Sequence, residues 1–249
     1  MKIVTLNEEN KERIIRELTD RSPETFEEQE KAVRAILADV RSRGDEALLA
    51  YTEKFDGVRL TPATMEVSEA EICEAYDRID PVLPEIIRKA LVHIRDYHQK
   101  QKRNSWLTTT EEGTMLGMRI LPMERIGVYV PGGKAAYPSS VLMNIVPARV
   151  AGVDEIVMTT PCGPDGSIEP AVLVAAREAG ADRIFKAGGA QAVAALTYGT
   201  ETVPKVDKIV GPGNIYVALA KKEVFGSVSI DSVAGPSEIL VLADRKSVV

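Results

Sequence analysis

The stretch that decides the fold is RIGVYVPGGK, residues 125–134, in which an apolar, β-rich run ends in paired glycines. Two later stretches, RIFKAGGAQA at 183–192 and KIVGPGNIYV at 208–217, repeat this order. In each case an amphipathic segment follows the glycine turn, so backbone N–H groups at a helix start can face a ligand beyond the strand end. The repeated pattern is typical, in outline, of a nucleotide site.

Around these turns, apolar strand candidates alternate with helical candidates. The strand candidates are 127–130, 155–160, 183–186, 208–210 and 238–242, and the helical ones lie near 138–152, 168–180, 190–198 and 214–225. Such alternation predicts an α/β fold, a Rossmann-like parallel sheet with helices on both faces and right-handed crossovers. The three glycine turns should then open at the carboxyl edge of one sheet.

The part before residue 105 is charged and helix-periodic. Asn7 can cap a helix through about Leu18, and Ser68 with Glu71 forms a capping-box pattern. Two longer helices are predicted at 26–43 and from about Pro81. Their apolar faces are Val33, Ile36, Leu37 and Val40 in the first, and Leu83, Ile87, Leu91, Ile94 and Tyr97 in the second.

These patterns divide the chain into three parts. Residues 1–124 form an N-terminal helical region that ends in a hairpin linker at 106–121, where Thr-rich and apolar runs surround Glu111-Glu112-Gly113. Residues 125–237 form the α/β domain. Residues 238–249 begin a strand that returns to the first domain.

Composition narrows the class of partner. The 249 residues include 31 basic and 37 acidic side chains, a formal net charge of -6, which argues against binding to nucleic acid or an anionic membrane. The amino terminus has no signal-peptide pattern and no run is apolar enough to span a bilayer, so we expect a cytoplasmic protein. Cys73 and Cys162 lie far apart, and no disulfide framework is indicated.

Three polar residues next to the glycine turns are candidate ligand groups. Tyr129 precedes the first turn, Gln191 follows the second and Asn214 follows the third. Their hydroxyl and amide groups could hydrogen-bond a ribose, a phosphate or a nicotinamide amide. Each taken alone is also compatible with a cap or turn partner, and Asn214 is an obvious N-cap residue. None of the turns spells a dinucleotide fingerprint or a phosphate-binding loop.

The histidines limit the metal chemistry of the chain. Only His93 and His98 are present, and at five residues apart in one helix they lie about 140° apart around its axis. Because no Cys-x-x-Cys or His-Glu-x-x-His motif is present, we interpret both as solvated residues of a helix surface and predict no metal ligand. Cys162 follows a strand and could be a nucleophile, or an ordinary loop thiol.

Long motifs give the chain a specific resemblance. The strings RIGVYVPGGKAAYPSSVLMNIVPARVAGV, KAGGAQAVAALTYGTETVPKVDKIVGPGNIYVALAKKEVFG and IDSVAGPSEILVLAD resemble histidinol dehydrogenase. The resemblance implies an aldehyde-dehydrogenase-like fold and a homodimer that oxidises L-histidinol through L-histidinaldehyde to L-histidine with two NAD and a zinc ion. It carries the NAD contacts of the family onto Tyr129, Gln191 and Asn214, and its first substrate contact onto Ser237.

The sequence departs from the family after the AGPSE strand. Family members continue well beyond it, and that later part supplies the zinc ligands and the Glu-His pair that activates water. This sequence ends with RKSVV after Asp244, so we expect a truncated chain without catalytic residues or zinc ligands of its own. Two alternatives remain open, a noncatalytic dinucleotide-binding or oligomerisation module and a thiol-dependent aldehyde dehydrogenase that uses Cys162.

Overall fold

The computed structural model describes residues 5, 7–19, 26–132, 136–233 and 241. The helices of its first part are α1 (Glu8–Thr19), α2 (Glu27–Arg43), α3 (Asp45–Asp56), α4 (Pro62–Met65), α5 (Glu69–Arg78) and α6 (Val82–Gln99). Asn7 caps α1, since its Oδ1 accepts the N–H of Asn10 at 3.0 Å. The predicted capping box of α5 is confirmed by reciprocal bonds between Ser68 and Glu71.

The predicted apolar faces of α2 and α6 are confirmed with one correction. All four predicted residues of α2 are buried, and α6 buries Ile87 and Leu91. Tyr97, however, is 62% exposed, so its assignment to the core was wrong. Its ring packs edge-on against His98 at the helix surface instead of turning inward.

A hairpin follows, as the sequence predicts. Strands β1 (Trp106–Thr109) and β2 (Met115–Met118) pair antiparallel, with Trp106 opposite Met118. Gly113 lies in the turn with a φ of 85°, a conformation that glycine adopts without steric cost. Every residue of both strands is exposed.

The second half of the chain contains the predicted parallel sheet. Its elements are β3 (Arg125–Tyr129), α7 (Pro138–Ala151), β4 (Glu155–Thr160), α8 (Pro170–Ala179), β5 (Arg183–Lys186), α9 (Gly189–Tyr198), β6 (Lys208–Val210), α10 (Ile215–Val224) and β7 (Ser229–Ile230). All neighbours pair parallel, in the order β5-β4-β3-β6-β7. Strand β7 was not predicted, and the predicted strand at 238–242 lies outside the described residues except for 241.

Alternating residues of the strands pack into two hydrophobic cores, one on each face of the sheet. Ile126 and Val128 of β3 join the core under α7 and α8, which α5 and α6 cover from outside. Tyr129 and Ile209 join the core under α9 and α10, which α2 and α3 cover. The helical region thus packs on both sides of the sheet, while the boundaries at 124 and 237 remain predictions.

Among the residues that the structure describes, no helix combines the length and apolar character needed to cross a membrane.

Candidate functional site

The turn after β6 touches the end of β3. Gly211 has a φ of 113°, and a Cβ added there would lie 2.0 Å from the carbonyl oxygen of Tyr129. Only glycine permits this approach. Strands β4 and β5 lie on one side of β3, and strands β6 and β7 lie on the other. The contact between β3 and the turn after β6 therefore lies at the switch point where doubly wound sheets bind ligands.

An ion pair between the buried Lys221 and the partly buried Asp231 holds Gly211 by both of its backbone groups. Lys221 Nζ donates to the Gly211 carbonyl oxygen at 2.9 Å, and Asp231 Oδ2 accepts the Gly211 N–H at 2.9 Å. The Lys221 ammonium also pairs with Asp231, and its side chain is 3% exposed. Burial by itself raises the pKa of Asp231, but the bonds from Lys221, Gly211 and Ser232 outweigh it and keep that pKa below its usual value.

Sequence reasoning missed this pair. In the sequence, Lys221 directly follows the apolar run Val217–Ala220, and this position of a lysine is the only signal that points to the pair. The structure shows that the run and Lys221 are all buried in α10. The partner, Asp231, lies ten residues further on, just beyond the unpredicted strand β7.

Tyr129 links the end of β3 to the start of α9. Its ring is 3% exposed, and its hydroxyl oxygen accepts the Gly189 N–H at 3.1 Å. Burial raises the pKa of this phenol, the Gly189 N–H lowers it and the charge of Asp56 raises it further. The hydroxyl is therefore a neutral hydrogen-bonding group at neutral pH. It accepts a hydrogen bond from one of the N–H groups at the helix start that have no partner within the helix.

Gln191 lies in the first turn of α9, next to Gly189. The residue is 1% exposed, and its Oε1 has no hydrogen-bond partner among the described residues. A Cβ added at Gly189 would lie 2.6 Å from this oxygen. The structure thus brings Tyr129 and Gln191 together around Gly189. An unpaired buried amide oxygen costs free energy, and a donor from a ligand or a water would remove that cost.

Asn214 lies at the same edge of the sheet and on the same face, where it caps a helix. Its Oδ1 accepts the Val217 N–H at 3.2 Å, which makes it the N-cap of α10, and the residue is exposed. The amide oxygen is therefore occupied, and the amide nitrogen is the group that can face a ligand. Ser237 and residues 133–135 of the first glycine turn lie outside the described residues.

Two further oxygens at this edge were not predicted. Thr159, opposite Tyr129 in the neighbouring strand, is fully buried and its Oγ1 has no partner in the described part of the chain. Asp56, the last residue of α3, has an equally buried and unpartnered Oδ2. Burial raises the pKa of Asp56 to about 6. In the sequence, Asp56 is recognisable only as the end of a helix before Gly57.

Cys162 does not have the properties of a nucleophile. The residue is 8% exposed, and burial first, then the charge of Asp56, raises the pKa of its thiol to about 11. A thiol with that pKa is protonated at neutral pH, whereas the thiolate is the reactive species. The structure therefore gives no support to the thiol-dependent alternative.

The histidines differ from each other in their surroundings. His93 is exposed as expected, but His98 is half-buried, with Nδ1 2.7 Å from Gln101 Oε1 and a buried, unpartnered Nε2. The expectation that both are solvated was wrong for His98, because Tyr97 and Gln101 pack beside its ring. In the described ranges no three His, Cys, Asp or Glu side chains form a group that could hold a metal ion, so we assign zinc to none of them.

Comparison with known proteins adds an independent observation. A family model described as histidinol dehydrogenase matches residues 19–249. The chain is 60% identical over 219 residues to histidinol dehydrogenase of Geobacillus kaustophilus, covering 88% of this chain and 51% of the relative. It is 54% identical over 248 residues to that of Halalkalibacterium halodurans, covering 99% and 56%.

A solved structure gives the same result. The crystal structure of histidinol dehydrogenase from Elizabethkingia anophelis matches with a TM-score of 0.81 and 40% sequence identity, over 87% of this chain and 49% of that one. The chain spans about half the length of the curated relatives it matches.

Proposed function

This chain belongs to the histidinol dehydrogenase family, and from that premise we propose that it forms the NAD-binding part of an NAD- and zinc-dependent oxidoreductase. The reaction is the oxidation of L-histidinol through L-histidinaldehyde to L-histidine. Tyr129, Gln191 and Asn214 bind NAD in this proposal, and Ser237 contacts the substrate.

The observation that carries the proposal is the unpartnered Oε1 of Gln191. It lies in the first turn of α9, at the edge where parallel sheets bind nucleotides. The neighbouring Tyr129 hydroxyl and the amide nitrogen of Asn214 supply further hydrogen-bonding groups. Such a set fits the polar parts of a dinucleotide better than it fits a purely apolar ligand.

The chemistry that NAD supplies when bound is the acceptance of a hydride from the alcohol carbon. The residues of this chain bind and orient the dinucleotide, and the Lys221–Asp231 pair holds the Gly211 turn against β3. Because none of the described residues forms a metal-binding group, no step that needs zinc is assigned to them.

The proposed protein is a cytoplasmic homodimer. The large apolar side chains of the hairpin are exposed, which supports a homodimer with the hairpin in its interface; these are Trp106, Leu107, Met115, Leu116 and Met118. Two unpaired cysteines fit a cytoplasmic protein.

NAD binding can be tested on the chain itself. Gln191→Met keeps the size of the side chain and removes its amide, so it should weaken NAD binding by about tenfold without loss of stability. The measurement is calorimetric titration with NAD, and Gln99→Met, an exposed residue at the end of α6, is the control. Equal NAD affinity in wild type and Gln191→Met would remove the basis of the site.

The complete activity requires a longer polypeptide in this proposal. The chain alone should neither retain stoichiometric zinc nor form NADH from histidinol. A chimera that joins it to the remaining part of the Geobacillus kaustophilus relative should do both. Zinc content and NADH absorbance are the measurements. Activity of the 249-residue chain alone, or an inactive but folded chimera, would contradict the proposal, and the second result would favour the noncatalytic module.

A further inference from the structure

The strand order identifies which side of the crevice would receive the adenosine. The order β5-β4-β3-β6-β7 is that of a doubly wound dinucleotide-binding sheet in which β3 is the first strand and β4 the second. In such sheets the pyrophosphate lies at the turn after the first strand, and an acidic side chain further along the chain accepts a hydrogen bond from the 2′-hydroxyl of the adenosine ribose. The corresponding position here is the carboxyl end of β4.

Residues 161–168, directly after β4, offer no free carboxylate for this purpose, and the exposed Glu169 stands further along, immediately before α8. Pro161 and Cys162 follow the strand directly. The next acid, Asp165, is engaged in its own turn, where it accepts the N–H of Ser167 at 3.0 Å and the hydroxyl of Ser167 at 2.8 Å. The acids Asp154 and Glu155 lie at the opposite, amino end of β4.

Helix α3 brings a carboxylate to this place from the helical region. Its first residue, Asp45, bonds to Glu201 and Thr202, which follow the end of α9. Helix α3 also contacts α9, and the charge of Asp56 contributes, after burial, to the raised pKa of Tyr129, whose hydroxyl bonds to Gly189 at the start of α9. We infer from these contacts that the two helices run antiparallel. Their lengths of 12 and 10 residues are similar, about 18 and 15 Å. The end of α3, Asp56, therefore lies beside the start of α9 and the carboxyl edge of the sheet.

The surroundings of Asp56 confirm that position. Burial is the main cause of the raised pKa values of Tyr129, at the end of β3, and Cys162, just beyond β4, and the charge of Asp56 raises both pKa values further. Two residues further on, Val58 packs against the loop after β4, since a Cβ added at Gly166 would lie 3.6 Å from its Cγ2. Asp56 thus lies near enough to the ends of the first two strands for its charge to act on groups at both.

Three buried oxygens at this edge lack partners among the described residues. The carboxylate and amide oxygens accept hydrogen bonds, and the hydroxyl can accept or donate one. The three oxygens are Asp56 Oδ2, Thr159 Oγ1 and Gln191 Oε1, and the last two belong to residues that are at most 1% exposed. Unpaired acceptors in a buried position call for a ligand that donates hydrogen bonds. The vicinal hydroxyls of a ribose are such donors, and a phosphate, which carries negative charge, is not.

We propose that Asp56 hydrogen-bonds the 2′-hydroxyl of the adenosine ribose and so makes the site selective for NAD over NADP. This assignment rests on the proposed NAD-binding function. The carboxylate accepts the hydroxyl proton of NAD, and it repels the 2′-phosphate of NADP at the same position. Asp56 is therefore a specificity-determining residue that the helical region contributes to the nucleotide site.

The test is calorimetric titration of the 249-residue chain at pH 7.5 with NAD and with NADP. Asp56→Asn should weaken NAD binding by about tenfold, and it should leave NADP binding unchanged or tighter, because the repulsion is gone. Asp77→Asn, the same exchange at an exposed position of α5, should behave as wild type with both nucleotides. The melting temperature of each variant is measured on the same samples.

Each other outcome has a defined meaning. If wild type and Asp56→Asn bind NAD and NADP in the same ratio, the ribose assignment is overturned and the NAD site stands. If Asp56→Asn loses both nucleotides equally and melts at a lower temperature, Asp56 has a structural role and the assignment is again overturned. If wild type binds neither nucleotide, the proposed NAD-binding function fails, and the ribose assignment fails with it.

Discussion

At the scale of single residues, the candidate site is marked by groups that lower the stability of the fold. Asp56 and Gln191 each have a buried oxygen without a partner among the described residues, and such groups cost free energy in the folded state. A sequence selected for stability alone would replace them with apolar or paired side chains. Their presence at the carboxyl edge is explained if a ligand supplies the missing hydrogen-bond donors.

We expect Asp56→Asn to stabilise the free protein in a pH-dependent way. Burial raises the pKa of Asp56 to about 6 in the folded chain, against 3.8 for a free aspartate side chain, so ionisation opposes folding. The gain from Asn should be near zero below pH 4, grow between pH 4 and 6, and reach about 1–2 kcal/mol above pH 7 after allowance for solvent screening. The measurement is urea unfolding at pH 4, 6 and 7.5.

Asp77→Asn is the control and should show no such pH-dependent gain. A loss of stability in Asp56→Asn at pH 7.5, or a gain of equal size at all three pH values, would mean that the charge of Asp56 does not oppose folding.

At the scale of elements, the β6–α10 turn depends on residues outside it. Gly211 can approach Tyr129 because it lacks a side chain, but Lys221 of α10 and Asp231 after β7 hold it there. The turn, the helix and the edge strand therefore act as one unit.

We expect Lys221→Met to destabilise the protein by about 2–4 kcal/mol, because it leaves the Asp231 carboxylate and the Gly211 carbonyl oxygen without their partner. Lys222→Met is the matched control, since the Lys222 side chain is 59% exposed and its ion pair with Glu30 is 3.2 Å long. The control should change the free energy of unfolding by less than about 1 kcal/mol. Urea unfolding of both variants measures the difference. Equal effects would contradict a special role of the buried pair.

At the scale of the whole molecule, the sheet lies between two cores, and the hairpin stands apart from both. The helical region covers each core from outside, so α5 and α6 pack over one face and α2 and α3 over the other. None of the hairpin's apolar residues belongs to either core. An exposed set of this size is typical of an interface.

We expect the chain to form dimers through the hairpin. The double substitution Leu107→Ser and Leu116→Ser should abolish dimers with little change in the stability of the monomer, because both side chains are more than half exposed. Sedimentation velocity over a range of concentrations is the measurement, and Val92→Ser, which removes an exposed apolar side chain of α6, is the control. Dimers that persist in the double variant, or a wild type that is monomeric at every concentration, would contradict the hairpin interface.

Much of the fold follows from local patterns that the sequence contains. The four strands β3 to β6 and the helices between them were predictable because apolar runs of strand length alternate with helical periodicity, and the glycines mark where each strand ends. Caps at Asn7 and Ser68 follow from side chains that bond to backbone groups only a few residues away. The strand β7 was missed because two residues carry no periodicity.

The sequence by itself thus determined the parallel sheet, its carboxyl edge, the family, and the position of Tyr129, Gln191 and Asn214 beside the turns. Only the tertiary structure decided that Asp56 reaches that edge, since this depends on the antiparallel packing of α3 on α9 between residues more than a hundred positions apart. It also decided that Cys162 is a buried thiol and that Lys221 and Asp231 hold Gly211. Burial and electrostatic contact between distant segments set these properties, and no local pattern of residues contains that information.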